Sequence, residues 1–173
     1  MWLKLLNNSL AGRPAGPLLM TLATIDNASG VDARTVVCRE ISPEGTLWFT
    51  SDSRSRKNAQ IAIDARASAV LWVSHRRHQF RFQGSVESES KHRDRFWNEL
   101  PDTTKASFFW PRPGSSHISG TFDAPAELAQ MPETFSVLRL APIIVELLEL
   151  EPSPHRRRRW QAATSWRVEE LNP

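Results

Sequence analysis

The chain has 173 residues, about one domain by the usual range of roughly 100–200, and its 40% hydrophobic and 24% charged residues are globular rather than disordered. Its 22 basic and 19 acidic residues leave a net charge of +3, too mild for a whole nucleic-acid-binding face. The basic residues nevertheless bunch at Arg54–Lys57, His75–Arg81 and His155–Arg159, which points to an anionic ligand at a focused site.

Cys38 is the only cysteine, so an intrachain disulfide and a multi-thiolate metal site are both excluded. The apolar start Met1–Leu6 is too short for a signal-peptide core, and no later run approaches the ~20 apolar residues of a membrane span. A cytoplasmic protein without a membrane partner is expected, with one domain over residues 1–173.

Residues 1–10 suit a short helix ended by Gly12-Arg13-Pro14 and Gly16-Pro17. Leu18–Ile25 and Val31–Ile41 read as two strands of a hairpin around the turn Asp26–Gly30. Thr46–Thr50 is a third strand, rich in aromatic and β-branched residues. After Ser55 the apolar spacing of Ala59, Ile61, Ala62, Ile63 and Ala65 predicts a helix. Ala67–Ser74 and Gln79–Ser88 are strands joined by the basic turn His75–His78, and Ser90–Leu100 and Asp102–Trp110 read as helices. Residues 112–135 are expected to be loop, with one helical turn near Pro125–Gln130, before closing strands at Ile143–Leu150 and Trp166–Leu171. Six or seven strands with short turns and few helices predict a mainly β fold, an antiparallel barrel or sandwich with peripheral helices.

Four segments carry candidate chemistry. Ser55 reads as an N-cap that leaves Arg56 and Lys57 in the first helical turn, where cations oppose the helix dipole. A bound phosphate resolves that conflict; so does a solvated basic turn. In Arg34–Arg39, alternation puts Arg34, Val36 and Cys38 on one face and Thr35, Val37 and Arg39 on the other. In His78–Gly84, Phe80 and Phe82 face the core, while Gln79, Arg81 and Gln83 face away. A Gln amide both donates and accepts, which suits a pyrimidine-like ring edge as well as solvent. Arg156–Arg159 followed by Trp160 fits either a nucleic-acid contact or a solvated surface; read as a strand, it puts Arg157 and Arg159 on one face and Arg156, Arg158 and Trp160 on the other. His75 and His78 have the spacing of a metal pair, but Arg76 and Arg77 between them repel a cation, and no metal is expected.

Taken in order, these segments resemble the pyridoxamine 5′-phosphate oxidase family. Arg34-Thr35-Val36-Val37-Cys38-Arg39 is similar to its Arg-x-Val-x-Leu-Lys strand, Phe49-Thr50 to its Tyr-Thr, and Ser55-Arg56-Lys57 to its Ser-Arg-Lys. Gln79–Gly84 resembles Gln-Val-Arg-Val-x-Gly, His155-Arg156-Arg157 resembles His-Asp-Arg, and Trp166 to Pro173 resembles the closing Trp…Leu-Ala-Pro. The resemblance implies a split β-barrel homodimer with FMN between subunits. It further implies that Arg34, Arg56 and Lys57 hold the FMN phosphate with help from Thr50 and Ser55, and that Val36 and Val37 lie along the ring. Gln79 would bond the ring edge and Arg157 would approach from the partner, with Arg39 and Phe49 in the same motifs.

The family's substrate phosphate is held by Lys, Tyr, Arg and Ser, and its vitamin by an Arg and a His; here those positions are Arg39, Phe96, Leu100 and Thr104, then Ser153 and His155. Only His155 is retained, as a candidate near the substrate, and only Arg39 keeps its charge. The implied protein is an FMN-dependent oxidoreductase of unknown substrate. The alternatives are a carrier or sensor of FMN, or of haem through His78 or His155, and a nucleic-acid-binding protein using Arg156–Arg159.

Overall fold

The computed structural model describes residues 1–120, 122, 128 and 130–173. Its strands are β1 (Leu18–Asp26), β2 (Gly30–Ile41), β3 (Leu47–Asp52), β4 (Arg66–Val73), β5 (His78–Glu89), β6 (Phe135–Glu149), β7 (Arg156–Gln161) and β8 (Val168–Leu171). They form one antiparallel sheet in the order β3-β2-β1-β4-β5-β6-β7-β8, and β3 also pairs with the first part of β6. The first six strands therefore close into a barrel, and β7 and β8 extend from it along β6. Four helices, α1 (Trp2–Leu10), α2 (Arg56–Ile63), α3 (Arg93–Glu99) and α4 (Asp102–Ala106), pack around it. None is long and apolar enough to cross a membrane. The fold is the mainly β split barrel with peripheral helices that the strand pattern and the resemblance imply.

Side-chain alternation builds the barrel interior. Phe80, Phe82 and Val86 of β5 point inward and are fully buried, against Leu71 of β4 and Val145 and Leu147 of β6. Trp2 and Leu6 of α1 plug one end; the Trp2 ring meets Phe82 edge-on at 6.0 Å. The same helix is tied to β5 by Ser9, whose Oγ lies 2.8 Å from His78 Nδ1. Each fully buried large side chain contributes roughly 1.5–3 kcal/mol, so this interior is the main source of stability.

β3 is buried on both faces. Leu47 and Phe49 turn into the barrel, while Trp48 turns outward into a second cluster with Phe96, Trp97, Leu100, Phe108, Phe135 and Val137. That cluster seats α3 and α4 on the outside of the barrel.

Two strands differ from the sequence expectation. β6 begins at Phe135, well before Ile143, because Ser136, Arg139 and Pro142 interrupt an apolar run that is buried on both sides at Val137, Leu138 and Leu140. Arg156–Gln161 forms the strand that its alternation allows, its arginines paired with glutamates of the neighbouring strands. Trp166 lies in a left-handed turn, and the last strand starts at Val168. The turn expected near Pro125–Gln130 lies, Leu128 and Gln130 apart, outside the described residues.

β5 and β6 cross at a bulge between Gln83 and Gly84, where β6 carries Pro142. A Cβ on Gly84 would stand 2.0 Å from the Ala141 carbonyl oxygen, so the close strand approach requires glycine. Gly84→Ala is expected to lower the urea midpoint, with m unchanged, by an amount equivalent to about 1–3 kcal/mol. An unchanged midpoint would show that the backbone there moves freely.

Candidate functional site

The chain leaves the barrel at Thr50-Ser51-Asp52, turns through Ser53, Arg54 and Ser55, and enters α2. Asp52 shapes the turn: its carbonyl accepts the Ser55 N–H at 3.0 Å and its carboxylate the Arg54 N–H at 2.8 Å. Ser55 occupies the N-cap position, but contrary to expectation its hydroxyl does not cap the helix. It accepts instead from Lys57 Nζ at 2.9 Å and Asn58 Nδ2 at 3.0 Å. Ser51 Oγ accepts the same two donors at 3.1 and 2.9 Å. Two buried serine hydroxyls thus fix one ammonium group. Burial holds Lys57 below its ordinary pKa, nearby Arg34 adds to the effect, and Asp52 opposes it.

Beside this ammonium opens a cleft of about 450 Å³. Thr35, Val36, Val37, Arg39, Thr50, Ser51, Asp52 and Lys57 form its barrel side; Thr104, Ser107, Phe108, Trp110, Pro111 and Pro113 form its outer wall. Arg39 is aimed across β3, its Nε donating to Thr50 Oγ1 at 3.1 Å. Hydroxyls, an ammonium, a guanidinium and an apolar strand edge therefore share one concavity, the chemistry that a phosphate joined to a flat ring requires.

The groups expected to converge on a phosphate divide. Lys57, Ser55, Thr50 and Arg39 come together with Val36 and Val37, and Phe49 is buried behind them inside the barrel. Arg34 does not line the cleft. It sits in a polar plug at the barrel end, ion-paired with Asp32 at 2.8 Å and donating to Thr24 Oγ1 at 2.6 Å and Gln60 Oε1 at 2.9 Å. Arg56 is 67% exposed and pairs with Asp26 at 3.2 Å. The Gln60 amide, the N–H groups of Ala28 and Ser29, and Arg56 together hold the Asp26 carboxyl well below the usual carboxylate range. In the sequence Asp26 reads only as a turn residue; unmatched cations in a first helical turn are the available signal that an acid or a ligand must lie nearby.

Gln79 and Arg157 stand elsewhere. Register places Trp72, Gln79, Leu148 and Arg157 in one row across β4, β5, β6 and β7 on the outward face. Three strand spacings separate β5 from β2, roughly 14 Å, and neither residue lines the cleft. Arg157 donates to Glu146 at 2.7 Å, Arg158 pairs with Glu149, and Arg159 with Glu169 at 2.9 Å. Most of the basic run is therefore neutralised in place, against the nucleic-acid reading. His78, one haem candidate, is engaged by Ser9; His155, the other, is exposed, as is Ser153. Of the positions that replace the family's substrate-phosphate groups, Thr104 lines the cleft, whereas Phe96 and Leu100 are buried in the outer aromatic cluster.

Residues 1–89, which hold β1–β5 and α2, match the family model described as pyridoxamine 5′-phosphate oxidase, FMN-binding domain. The chain belongs to that family. Among its relatives, a pyridoxine/pyridoxamine 5′-phosphate oxidase of a Cyanothece species is 28% identical over 171 residues, covering 91% of this chain and 79% of that protein. A Rhodococcus jostii protein of the same name is 28% identical over 178 residues, covering 94% of this chain and 78% of its own. A solved structure of a pyridoxamine 5′-phosphate oxidase-related, FMN-binding protein from Nostoc punctiforme superposes with a TM-score of 0.90 at 27% identity, covering 99% of this chain and 97% of that one. PhzG of Burkholderia lata, at 21% identity and a TM-score of 0.80, covering 99% of this chain and 90% of that one, shares the fold.

The depressed Asp26 carboxyl fixes the sign of one pH effect. Its ionised form stabilises the fold above the ordinary value of 3.8, and that contribution is lost as pH falls toward the lower folded value. Asp26→Asn should therefore be less stable than wild type at neutral pH, and the gap in denaturation midpoint should close on acidification below about pH 4. A gap that persists or widens in acid would contradict this assignment.

Proposed function

We propose that this chain is a single FMN-binding domain acting as a homodimeric, flavin-dependent oxidoreductase, with the cofactor phosphate at Lys57 and its ring along Val36 and Val37. The observation that carries the reading is the half-buried ammonium of Lys57, fixed by Ser51 and Ser55 in the wall of a cleft that Thr50 and Arg39 also line. A desolvated cation with hydroxyls around it favours a phosphate, which supplies the missing negative charge. The residues present fit FMN, and the family's FMN-binding domain supports it.

When bound, FMN supplies hydride or single-electron chemistry. The chain's own residues then bind and orient it: Lys57, Thr50 and Arg39 at the anionic end, the β2 edge at the flat end. Gln79 and Arg157 belong to this reading only through a second copy, since they lie across the outward sheet face. Leu19 and Trp72 on that face are 52% and 47% exposed, an apolar surface suited to a two-fold partner. Such symmetry carries the Gln79 and Arg157 of one protomer toward the cleft of the other.

The substrate is read as something other than a phosphorylated vitamin. With Phe96 and Leu100 packed among Trp48, Trp97 and Phe108, the tyrosine hydroxyl and the guanidinium that hold the family's substrate phosphate have no counterpart at those positions. Of the positions matching the family's substrate-phosphate groups, Thr104 and Arg39 line the cleft, Arg39 on the side assigned to the cofactor's anionic end.

Titration with FMN, followed by quenching of flavin fluorescence, tests the cofactor claim. Lys57→Met should weaken binding by about 10- to 100-fold, the loss of one charge-assisted contact, without lowering thermal stability. Arg56→Ala should lose less, because its side chain is exposed and held by Asp26. A wild-type protein that leaves FMN fluorescence unchanged would overturn the reading.

A further inference from the structure

Arg54 lies outside the Ser55-Arg56-Lys57 motif, yet it makes the densest set of contacts around the cleft. Its guanidinium grips the Asp52 carboxylate by Nε at 3.0 and 3.2 Å and by Nη2 at 2.6 Å. The same Nη2 donates to the Trp110 carbonyl at 2.9 Å and reaches that of Phe108 at 3.5 Å. A bond returns from the wall, Arg112 Nε donating to the Arg54 carbonyl at 3.2 Å. Beside it, the Ser53 N–H donates to Thr134 O at 2.7 Å, and Thr134 Oγ1 donates to the Phe108 carbonyl at 3.1 Å. The outer wall of the cleft is thus fastened to the strand–helix turn chiefly through one side chain.

Charge gives Arg54 a second effect. Asp52 is the one acid among the described residues lining the cleft, and its side chain is only 10% exposed. Left alone, that carboxylate would repel an incoming phosphate and compete for Lys57. Paired bidentately with Arg54, it is neutralised, and the cationic character of Lys57 and Arg39 remains available.

Resting on the proposed FMN site, we propose that Arg54 is a positioning residue: it locks Ser107–Pro113 in place as the cleft's outer wall and cancels the charge of Asp52 beside the phosphate position. Neither effect requires Arg54 to touch the cofactor. A planar fork that satisfies a carboxylate and a carbonyl together is particular to arginine, so lysine does not replace it.

The test compares wild type, Arg54→Met, and Arg54→Met combined with Asp52→Asn. Amide hydrogen exchange is measured without flavin, and FMN and riboflavin affinities are measured separately. Arg54→Met should speed exchange at Ser107–Arg112 by about tenfold or more while the barrel amides are unchanged. It should weaken FMN by about tenfold and riboflavin, which lacks the phosphate, by less. Adding Asp52→Asn should recover part of the FMN affinity without slowing exchange in the wall. Exchange or FMN affinity within about twofold of wild type overturns the proposal, as does equal loss of FMN and riboflavin. A wild-type protein indifferent to FMN would overturn the cofactor reading instead, and the exchange comparison alone then decides whether Arg54 locks the wall.

Discussion

The structure depends on β3 being shared. It pairs with β2 on one edge and with Phe135–Leu140 of β6 on the other, which closes the barrel. A strand so placed has no free edge, and because α3 and the segment through Phe108 cover its outer face, Leu47, Trp48 and Phe49 are buried on both sides. The same closure fixes where β3 ends, and therefore where Thr50, Ser51, Asp52 and the start of α2 emerge. The site is an extension of the most constrained strand in the fold, so its serines and lysine are held by packing and not by loop chance.

Electrostatics then sorts the cations that sequence places side by side. Arg34 and Arg56 find acids, Asp32 and Asp26, at the end of the barrel. Lys57 finds neutral hydroxyls, and Asp52, the nearby acid, is taken by Arg54. A cation satisfied by an acid has little left for a ligand; one satisfied only by hydroxyls keeps its field. This division explains how a chain of near-balanced charge can leave one cation, Lys57, without an acid of its own.

The barrel strands were legible because their alternation is clean: Phe80 and Phe82 inward, Gln79, Arg81 and Gln83 outward. The start of β6 was not, since Pro142 and Arg139 break a run whose two buried faces erase any period of two. β7 was legible only as one option for its arginine run, because the partners Glu146, Glu149 and Glu169 lie on strands that only the fold brings alongside. In the site, the strand and helix motifs located the cleft, but not which cations point into it. That choice depends on Asp26, Asp32 and Gln60, which are distant in sequence and carry no motif. The role of Arg54 was equally invisible, because its carbonyl partners, Phe108 and Trp110, end a segment that reads only as a short helix and is distant in sequence. Phe96 and Leu100 read as substitutions of substrate groups; only the outer aromatic cluster shows that their side chains have become core.

The central claim is that the hydroxyl-bound ammonium of Lys57 exists to receive a phosphate. A crystal structure grown with FMN tests it most directly. The account predicts phosphate oxygens within about 3 Å of Lys57 Nζ and Thr50 Oγ1, with Gln79 of the partner subunit at the ring edge. A phosphate bound away from Lys57, or a flavin held wholly within one protomer, would contradict it.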